Sequence, residues 1–390
     1  MGKDFKMNNF EFFNPVRIVF GKGNIPNVGK YIPAGRKVMM IYGTGSIKKN
    51  GVYEQVVQGL KGFRWVEFSG IEPNPLYETC MKAVEKIKTE KVDFLLAVGG
   101  GSVLDATKFI AAACCYQGLD PWEILATGGA CVKSALPLGD VLTLPATGSE
   151  MNANAVISRR SSQEKLGFYS PLVYPVFSIL DPEATYSLPK KQLRNGLVDA
   201  FVHVMEQYAT YSVNTPLQDR QAEAVVRTLL DVADDVLNKQ DYDSRATFMW
   251  SATWALNGSL SRGVVEDWST HGIGHELTAF FGVAHAESLA IVLPGVWKHQ
   301  FENKKGKLAQ LARRVWHITE GDETSQAQAA IEKTVQFFHS IGMPTQLSDF
   351  GISKADIQKV VERFRQRGTL MGEHNNIGAP QVEEILNLCL

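Results

Sequence analysis

Between Arg17 and Leu180, short apolar runs alternate with helical patterns, and this alternation constrains the fold more than any other feature of the chain. The runs are Arg17-Ile-Val-Phe20, Lys37-Val-Met-Met-Ile-Tyr42, Arg64-Trp-Val-Glu-Phe68, Asp93-Phe-Leu-Leu-Ala-Val98, Val141-Leu-Thr-Leu144 and Val176-Phe-Ser-Ile-Leu180. Helical patterns such as Leu76–Glu90 and Ser102–Cys114 lie between them. Strands that are apolar along their whole length have no face to offer water. They predict a parallel sheet covered by helices on both sides. After Asp181-Pro182 the strand-like runs stop and the periodicity becomes helical, over 193–210, 218–238, 245–260, 307–318, 325–341 and 354–367. A chain of 390 residues is too long for one ordinary core. We expect a Rossmann-like α/β domain over residues 1–185 and an all-α domain over residues 186–390.

Charge narrows the partners. With 40 basic and 41 acidic residues the net charge is −1, and no basic stripe stands out, so neither nucleic-acid nor membrane binding has electrostatic support. The longest apolar run, near Phe109–Cys115, is far too short to span a bilayer. The cysteines at 80, 114, 115, 131 and 389 are sparse and form no Cys-x-x-Cys pair. That argues against a disulfide scaffold or a thiolate zinc site and suggests a reducing, cytoplasmic setting. The opening Met1–Met7 is polar and lacks the apolar core of a signal peptide. Met7 offers an internal start, which would make the first six residues a tag remnant or a disordered tail.

Asp93–Val98 runs directly into Gly99-Gly-Gly-Ser102-Val-Leu-Asp105, a strand, a tight turn and a helix start. Glycines let a phosphate approach the backbone, and the N–H groups of a first helical turn point at it. Ser102 serves as cap or phosphate donor. This is not the GxGxxG fingerprint. A second loop, Thr143-Leu-Pro-Ala-Thr147-Gly-Ser149-Glu150, is dense in hydroxyls that suit ribose, phosphate or carboxamide contacts. At Tyr42-Gly43-Thr44-Gly45-Ser46 no acid stands ready for the ribose hydroxyls, as NAD sites usually require. Glycine and serine leave room for a 2′-phosphate, and Lys48 and Lys49 are near in sequence. NADP(H) is therefore expected over NAD(H).

The chain holds eight histidines, and four of them gather with one aspartate. Asp199 and His203 are four apart in a helical stretch and project from one face. Their neighbours Leu197, Val198, Phe201, Val202 and Val204 are too apolar for a solvated surface pair. His271-Gly-Ile-Gly-His275 gives a second pair at the same spacing, and His285 follows. In one continuous helix His271 and His285 would stand about 21 Å apart, so a shared ion requires a break, which Gly282 can supply. Spacing leaves five candidate ligands. Three neutral imidazoles and a carboxylate around a divalent ion carry a net charge of about +1, a Lewis acid toward a carbonyl oxygen. With a nucleotide cofactor this suits hydride transfer between an alcohol and an aldehyde or ketone.

These segments together resemble the iron-type (group III) alcohol dehydrogenases. The resemblance runs from Phe13-Asn-Pro-Val-Arg-Ile-Val-Phe-Gly-Lys-Gly23 through Glu72-Pro-Asn-Pro75, Gly99–Ser102 and Thr147-Gly-Ser-Glu150 to the histidine segment. Phe94–Asp105 and Gly274-His-Glu-Leu-Thr-Ala279 are most similar to the NADPH-dependent aldehyde reductases also called butanol dehydrogenases. The resemblance implies two domains with the active site in the cleft between them. It implies Asp199, His203, His271 and His285 as ligands of one divalent metal, Fe²⁺ or Zn²⁺. His275 then stands beside the metal, near the nicotinamide and substrate, as a catalytic group. Gly99, Gly100, Gly101 and Ser102 would hold the pyrophosphate, with Thr143, Thr147 and Lys165 also on the cofactor. Asn74, Asp105 and Ser149, within the matching segments, and Gly43, Gly45 and Ser46 complete the candidate cofactor set. Gly43 stands where NAD-using relatives often carry an Asp, and Asn154 matches a substrate-pocket position. The family stretch Thr-Ala-Gly-Thr-Gly-Ser reads Leu144-Pro-Ala-Thr-Gly-Ser149 here. Relatives are dimers or larger assemblies whose N-terminal strand often pairs across subunits, so a homo-oligomer is expected.

The expected function is NADP(H)-dependent interconversion of short aliphatic aldehydes and primary alcohols. Three alternatives stand beside it. One is an NAD(H)-using alcohol or polyol dehydrogenase of the same family. Another is a metal-dependent lyase of the dehydroquinate-synthase kind, which would need more basic residues around its ligands. The third is a non-enzymatic metal or nucleotide sensor with a closed metal site.

Overall fold

The computed structural model describes residues 6–390, so the reading of the opening residues as a tag or tail falls outside the described residues. Two compact units form, each drawn from separated stretches of chain. One comprises Phe13–Leu193 with Asn238–Thr253, and the other the residues up to Phe12 with Arg194–Leu237 and Trp254–Leu390. Residue 185, where the sequence pattern changes, closes the short turn Pro182–Thr185.

In the first unit the chain runs β1 (Arg17–Phe20), β2 (Lys37–Tyr42), α1 (Val52–Gly59), β3 (Arg64–Phe68), α2 (Tyr77–Glu90), β4 (Phe94–Gly100), α3 (Gly101–Cys115) and α4 (Glu123–Ala126). It continues through β5 (Leu138–Leu144), β6 (Asn154–Arg159), β7 (Glu164–Tyr169) and β8 (Phe177–Leu180). The apolar runs of the sequence become one parallel six-stranded sheet, ordered β1-β8-β5-β4-β2-β3. Alternate residues serve opposite faces, as the strand repeat requires. Met39, Ile41, Leu95 and Ala97 pack against Val84 and Ile87 of α2 and Leu104 and Phe109 of α3. Val38, Met40, Leu96 and Val98 pack on the other side with Val52 and Val56 of α1.

The strand order places the cofactor segments. From β2 the chain crosses to β3 on one side, then returns to lay β4 on the other. Tyr42, the last residue of β2, pairs with Val98, two residues before the end of β4. A doubly wound sheet binds ligands in the crevice beyond such a reversal. Here that crevice is bordered by Gly43–Ser46 and Gly99–Ser102.

The antiparallel β6–β7 hairpin was absent from the sequence expectations. Its strands are polar or half-exposed at alternate positions around Arg159–Lys165, so no continuous apolar run announces them.

The remaining helices are α5 (Lys190–Tyr208), α6 (Pro216–Asn238), α7 (Tyr242–Ala255), α8 (Ser269–Phe281), α9 (His285–His299), α10 (Phe301–Arg314), α11 (Glu323–Ser340), α12 (Lys354–Arg367) and α13 (Ala379–Asn387). Apart from α7 as far as Thr253, the start of α5 and Asn238 at the end of α6, the second unit holds them. Its core joins Ile273 and Leu277 of α8, Ile291 and Val296 of α9, Val361 and Phe364 of α12 and Ile385 of α13. Buried Glu276 ties α8 to α12 through ion pairs with Arg363 and Arg367. Helices α8 and α9 lie outside the stretches whose sequence shows a clear helical period. Both are buried over most of their circumference, so their sequences lack a polar face to set a period. Among the described residues no helix is long and apolar enough to cross a membrane.

Candidate active site

Asp199 and His203 sit one turn apart on α5, both buried. His271 and His275 sit one turn apart on α8. Gly282 ends α8 in the left-handed conformation (φ +69°), and α9 begins at His285. This is the break that the spacing of His271 and His285 demands. Gly274 lets the two helices approach closely, since a Cβ there would lie 2.9 Å from Ser288 Oγ.

The side chains converge on one oxygen. Asp199 Oδ1 has the Nε2 atoms of His203, His285 and His271 at 3.5, 3.6 and 4.0 Å. It is buried and has no hydrogen-bond partner. Ligand atoms of Asp199, His271 and His285 all lie within 4.8 Å of one another. Two atoms bound tetrahedrally to one ion at 2.0–2.2 Å stand about 3.3–3.6 Å apart, so the spacing fits a shared cation after small inward shifts. His275 stands beside these rings, its centroid 5.4 Å from that of His285 and 6.2 Å from that of His271.

Sequence reasoning missed two residues here. Glu206, one turn beyond His203 on α5, places Oε2 against His271 Nδ1. Burial pushes its carboxyl up to about 8, with the Asp267 charge adding to the rise. Trp268, at φ +59°, sets its ring edge-on to His271, with centroids 5.3 Å apart. Glu206 had a legible signal: Asp199, His203 and Glu206 fall on one helical face.

In the sheet-bearing unit α3 starts at Gly101, directly on the end of β4, and no side chain caps its first turn. Its open N–H groups suit an anion. The three glycines also have a packing reason. A Cβ at Gly99 would meet Val103 at 2.5 Å, one at Gly100 Leu144 at 2.9 Å, and one at Gly101 Thr147 at 2.4 Å. The helix start is thus pressed against the hydroxyl loop. Ser102 is partly exposed at its edge.

That loop is held by two residues of α3. Asp105 accepts from Ser149 Oγ at 2.8 Å and from the Val156 N–H at 2.9 Å, so both its oxygens are engaged within the protein. Lys108, fully buried, donates to Ser149 Oγ, to Asn152 Oδ1 and to the carbonyls of Asn152 and Asn154. Burial pushes its ammonium down to about 8 against the opposing pull of Asp105, Glu150 and Asp140. Thr143 is buried near the end of β5, Thr147 Oγ1 accepts from the Ser149 N–H, and Asn154 is exposed at the start of β6. Asn74, in the left-handed region at φ 55°, accepts from Lys165 Nζ at 2.9 Å. Beyond β2, Gly43 and Gly45 are partly exposed and Ser46 is exposed. Lys48 turns onto the Tyr42 and Tyr53 rings and lies 3.6 Å from Glu67, while Lys49 is exposed.

Residues 15–182 match the iron-containing alcohol dehydrogenases, and residues 195–390 match the C-terminal part of the Fe-containing alcohol dehydrogenase family. The chain belongs to the iron-containing alcohol dehydrogenase family. This alcohol dehydrogenase is an oxidoreductase, and its parallel-sheet and helical units match solved structures along the whole chain. It is similar to the NADPH-dependent aldehyde reductase YqhD of Escherichia coli, at 52% identity over 95% of this chain and 97% of that one. It is also similar to a probable NADH-dependent butanol dehydrogenase of Bacillus subtilis, at 41% identity over 98% and 100%. The crystal structure of E. coli YqhD covers 99% of this chain and 100% of its own, with a TM-score of 0.97 at 50% identity. That of a butanol dehydrogenase from Thermotoga maritima covers 98% and 99%, with a TM-score of 0.93 at 40% identity.

Proposed function

We propose that this alcohol dehydrogenase reduces short aliphatic aldehydes with NADPH at a divalent metal centre, and oxidises the corresponding primary alcohols in reverse. The observation that carries the reading is the buried, unpartnered Asp199 oxygen facing three imidazole nitrogens. We assign Asp199, His203, His271 and His285 as ligands. Three nitrogens and one carboxylate suit Fe²⁺ and Zn²⁺ alike. The bound ion supplies Lewis acidity toward a carbonyl oxygen, and the nicotinamide supplies the hydride.

The protein's residues do the rest. Asp199 offsets part of the ion's charge, and the three rings fix the ligand geometry. His275, beside these rings, holds or passes a proton on the substrate side. Gly99–Ser102 and the first turn of α3 take the pyrophosphate. Thr143, Thr147, Asn74 and Lys165 line the cofactor's path, with Asp105 and Ser149 holding the loop that Thr147 shares. Asn154 faces substrate. The region up to 185 carries the dinucleotide and the region from 186 the metal. Relatives bear names with NADPH and with NADH. Gly43, with Gly45 and Ser46, favours the phosphorylated form here because no acid stands there to repel a 2′-phosphate. Five free cysteines accord with a reducing cytoplasm. The edge strand β1, with Phe20 exposed at its end and Phe13 exposed ahead of it, accords with a homodimer, which light scattering in solution checks.

His271→Ala tests the assignment. The variant is expected to lose bound metal and aldehyde turnover while still binding NADPH by fluorescence titration. Full activity in that variant would remove the metal centre from the mechanism.

A further inference from the structure

Every ligand ring must present a bare nitrogen to the ion. A neutral imidazole has one N–H and one lone pair, so something must hold the proton on the far nitrogen. For His271 the far atom is Nδ1, and it faces Glu206 Oε2. Glu206 is almost fully buried on α5, the helix that also carries Asp199 and His203.

The same carboxylate fixes the helix that carries His271. Glu206 Oε1 accepts the N–H groups of Thr270 at 2.7 Å and His271 at 3.3 Å. These belong to the first turn of α8, which no residue at its own N-cap position bonds. The strand of chain before it is anchored as well. The Asp267 N–H donates to the Glu206 carbonyl at 2.9 Å, and Asp267 accepts from the Ser269 N–H and from buried Lys304. One carboxylate therefore sets both the height of α8 and the orientation of its ring.

We propose that Glu206 is the positioning residue of the metal centre: it keeps the His271 proton on Nδ1, frees Nε2 for the ion, and locks α8 in register with α5. This rests on the ligand assignment above. Carboxylates that hold a ligating histidine in this way are worth about 10- to 100-fold in metal affinity.

Glu206→Gln separates this role from that of a helix cap. Its amide oxygen still accepts the Thr270 and His271 N–H groups. Its amide NH₂ meets Nδ1 as a donor, which drives the ring proton to Nε2, where the ion must bind. Metal-stripped wild type and variant are titrated with Zn²⁺ against a competing chelator, and the thermal midpoint of each stripped protein is recorded. The expected result is a Zn²⁺ dissociation constant weaker by about 10- to 100-fold at a nearly unchanged midpoint. Equal Zn²⁺ affinity in the folded variant overturns the proposal. Failure of wild type itself to bind Zn²⁺ overturns the ligand assignment instead. Should the variant not fold, wild type labelled with ¹⁵N-histidine and loaded with Zn²⁺ gives the answer. A His271 resonance with its proton on Nδ1 supports the proposal, and one with its proton on Nε2 overturns it.

Discussion

Gly43 follows β2 beside the end of β4, and under the proposed function the side chain at that point would govern what an adenosine ribose can carry. A Cβ there would meet the Ile71 carbonyl at 3.4 Å and Val103 at 3.9 Å, so a larger residue fits with little adjustment. Gly43→Asp would place a carboxylate against a 2′-phosphate and offer an acceptor to free ribose hydroxyls. We expect kcat/KM to fall about tenfold or more with NADPH and to rise with NADH, measured by initial rates with one aldehyde. An unchanged ratio of the two would refute the role given to this position. Other residues differed in how plainly the sequence announced them. Asp199 and His203 give the clearer signal, because a four-residue spacing within an apolar stretch puts a carboxylate and an imidazole together on one buried face. Glu206 extends the same face, yet a lone glutamate on a helix is ordinarily solvated. Only the contact with His271, a residue distant in sequence, gives it meaning. Lys108 was hidden likewise, since a lysine three residues after Asp105 reads as surface until four acceptors surround it.

At the scale of elements, the turn from β4 into α3 is a closely packed junction of the sheet-bearing unit. Its glycines were read as a phosphate cradle, and the structure adds that each is required for close packing. Gly101→Ala would drive a methyl group into Thr147, 2.4 Å away, and part the helix start from the hydroxyl loop. The expected cost is about 1–3 kcal/mol in stability, read by chemical denaturation, with a raised KM for NADPH. A variant with both quantities unchanged would show that the junction has slack. The strands of the parallel sheet were legible because burial on both faces leaves continuous apolar runs. The β6–β7 hairpin was not, because its strands alternate and lean on the residues beneath them. Gly282 was legible as a break for a geometric reason: a straight helix would have carried His285 away from His271.

Over the whole molecule, buried charge is the less obvious cost of this architecture. Asp140 lies in the middle of β5, fully buried, and neither carboxylate oxygen has a well-formed hydrogen bond. Burial pushes its carboxyl well above the ordinary aspartate range, the Glu150 charge adds to this, and Lys108 opposes it. The folded state then keeps a proton that the unfolded chain releases above about pH 4, so stability falls as pH rises from there toward the folded value. Asp140→Asn cannot ionise and escapes this loss. Its advantage in thermal midpoint over wild type should grow as the pH rises above the ordinary aspartate range, about pH 4. A gap that is constant or shrinks with pH would contradict the assignment of a protonated Asp140. The division into sheet-bearing and helical parts was visible in the change of period after Asp181-Pro182. That Asn238–Thr253 belongs with the sheet was not visible, since α7 has the same helical pattern as its neighbours.

The central claim is metal-dependent aldehyde reduction by NADPH, and one assay reaches it directly. NADPH oxidation with butanal is followed at 340 nm in metal-replete protein, in protein stripped by chelator, and in stripped protein reloaded with Fe²⁺ or Zn²⁺. The account predicts turnover in the first, its loss in the second and its return in the third. Equal turnover in the stripped protein would contradict it.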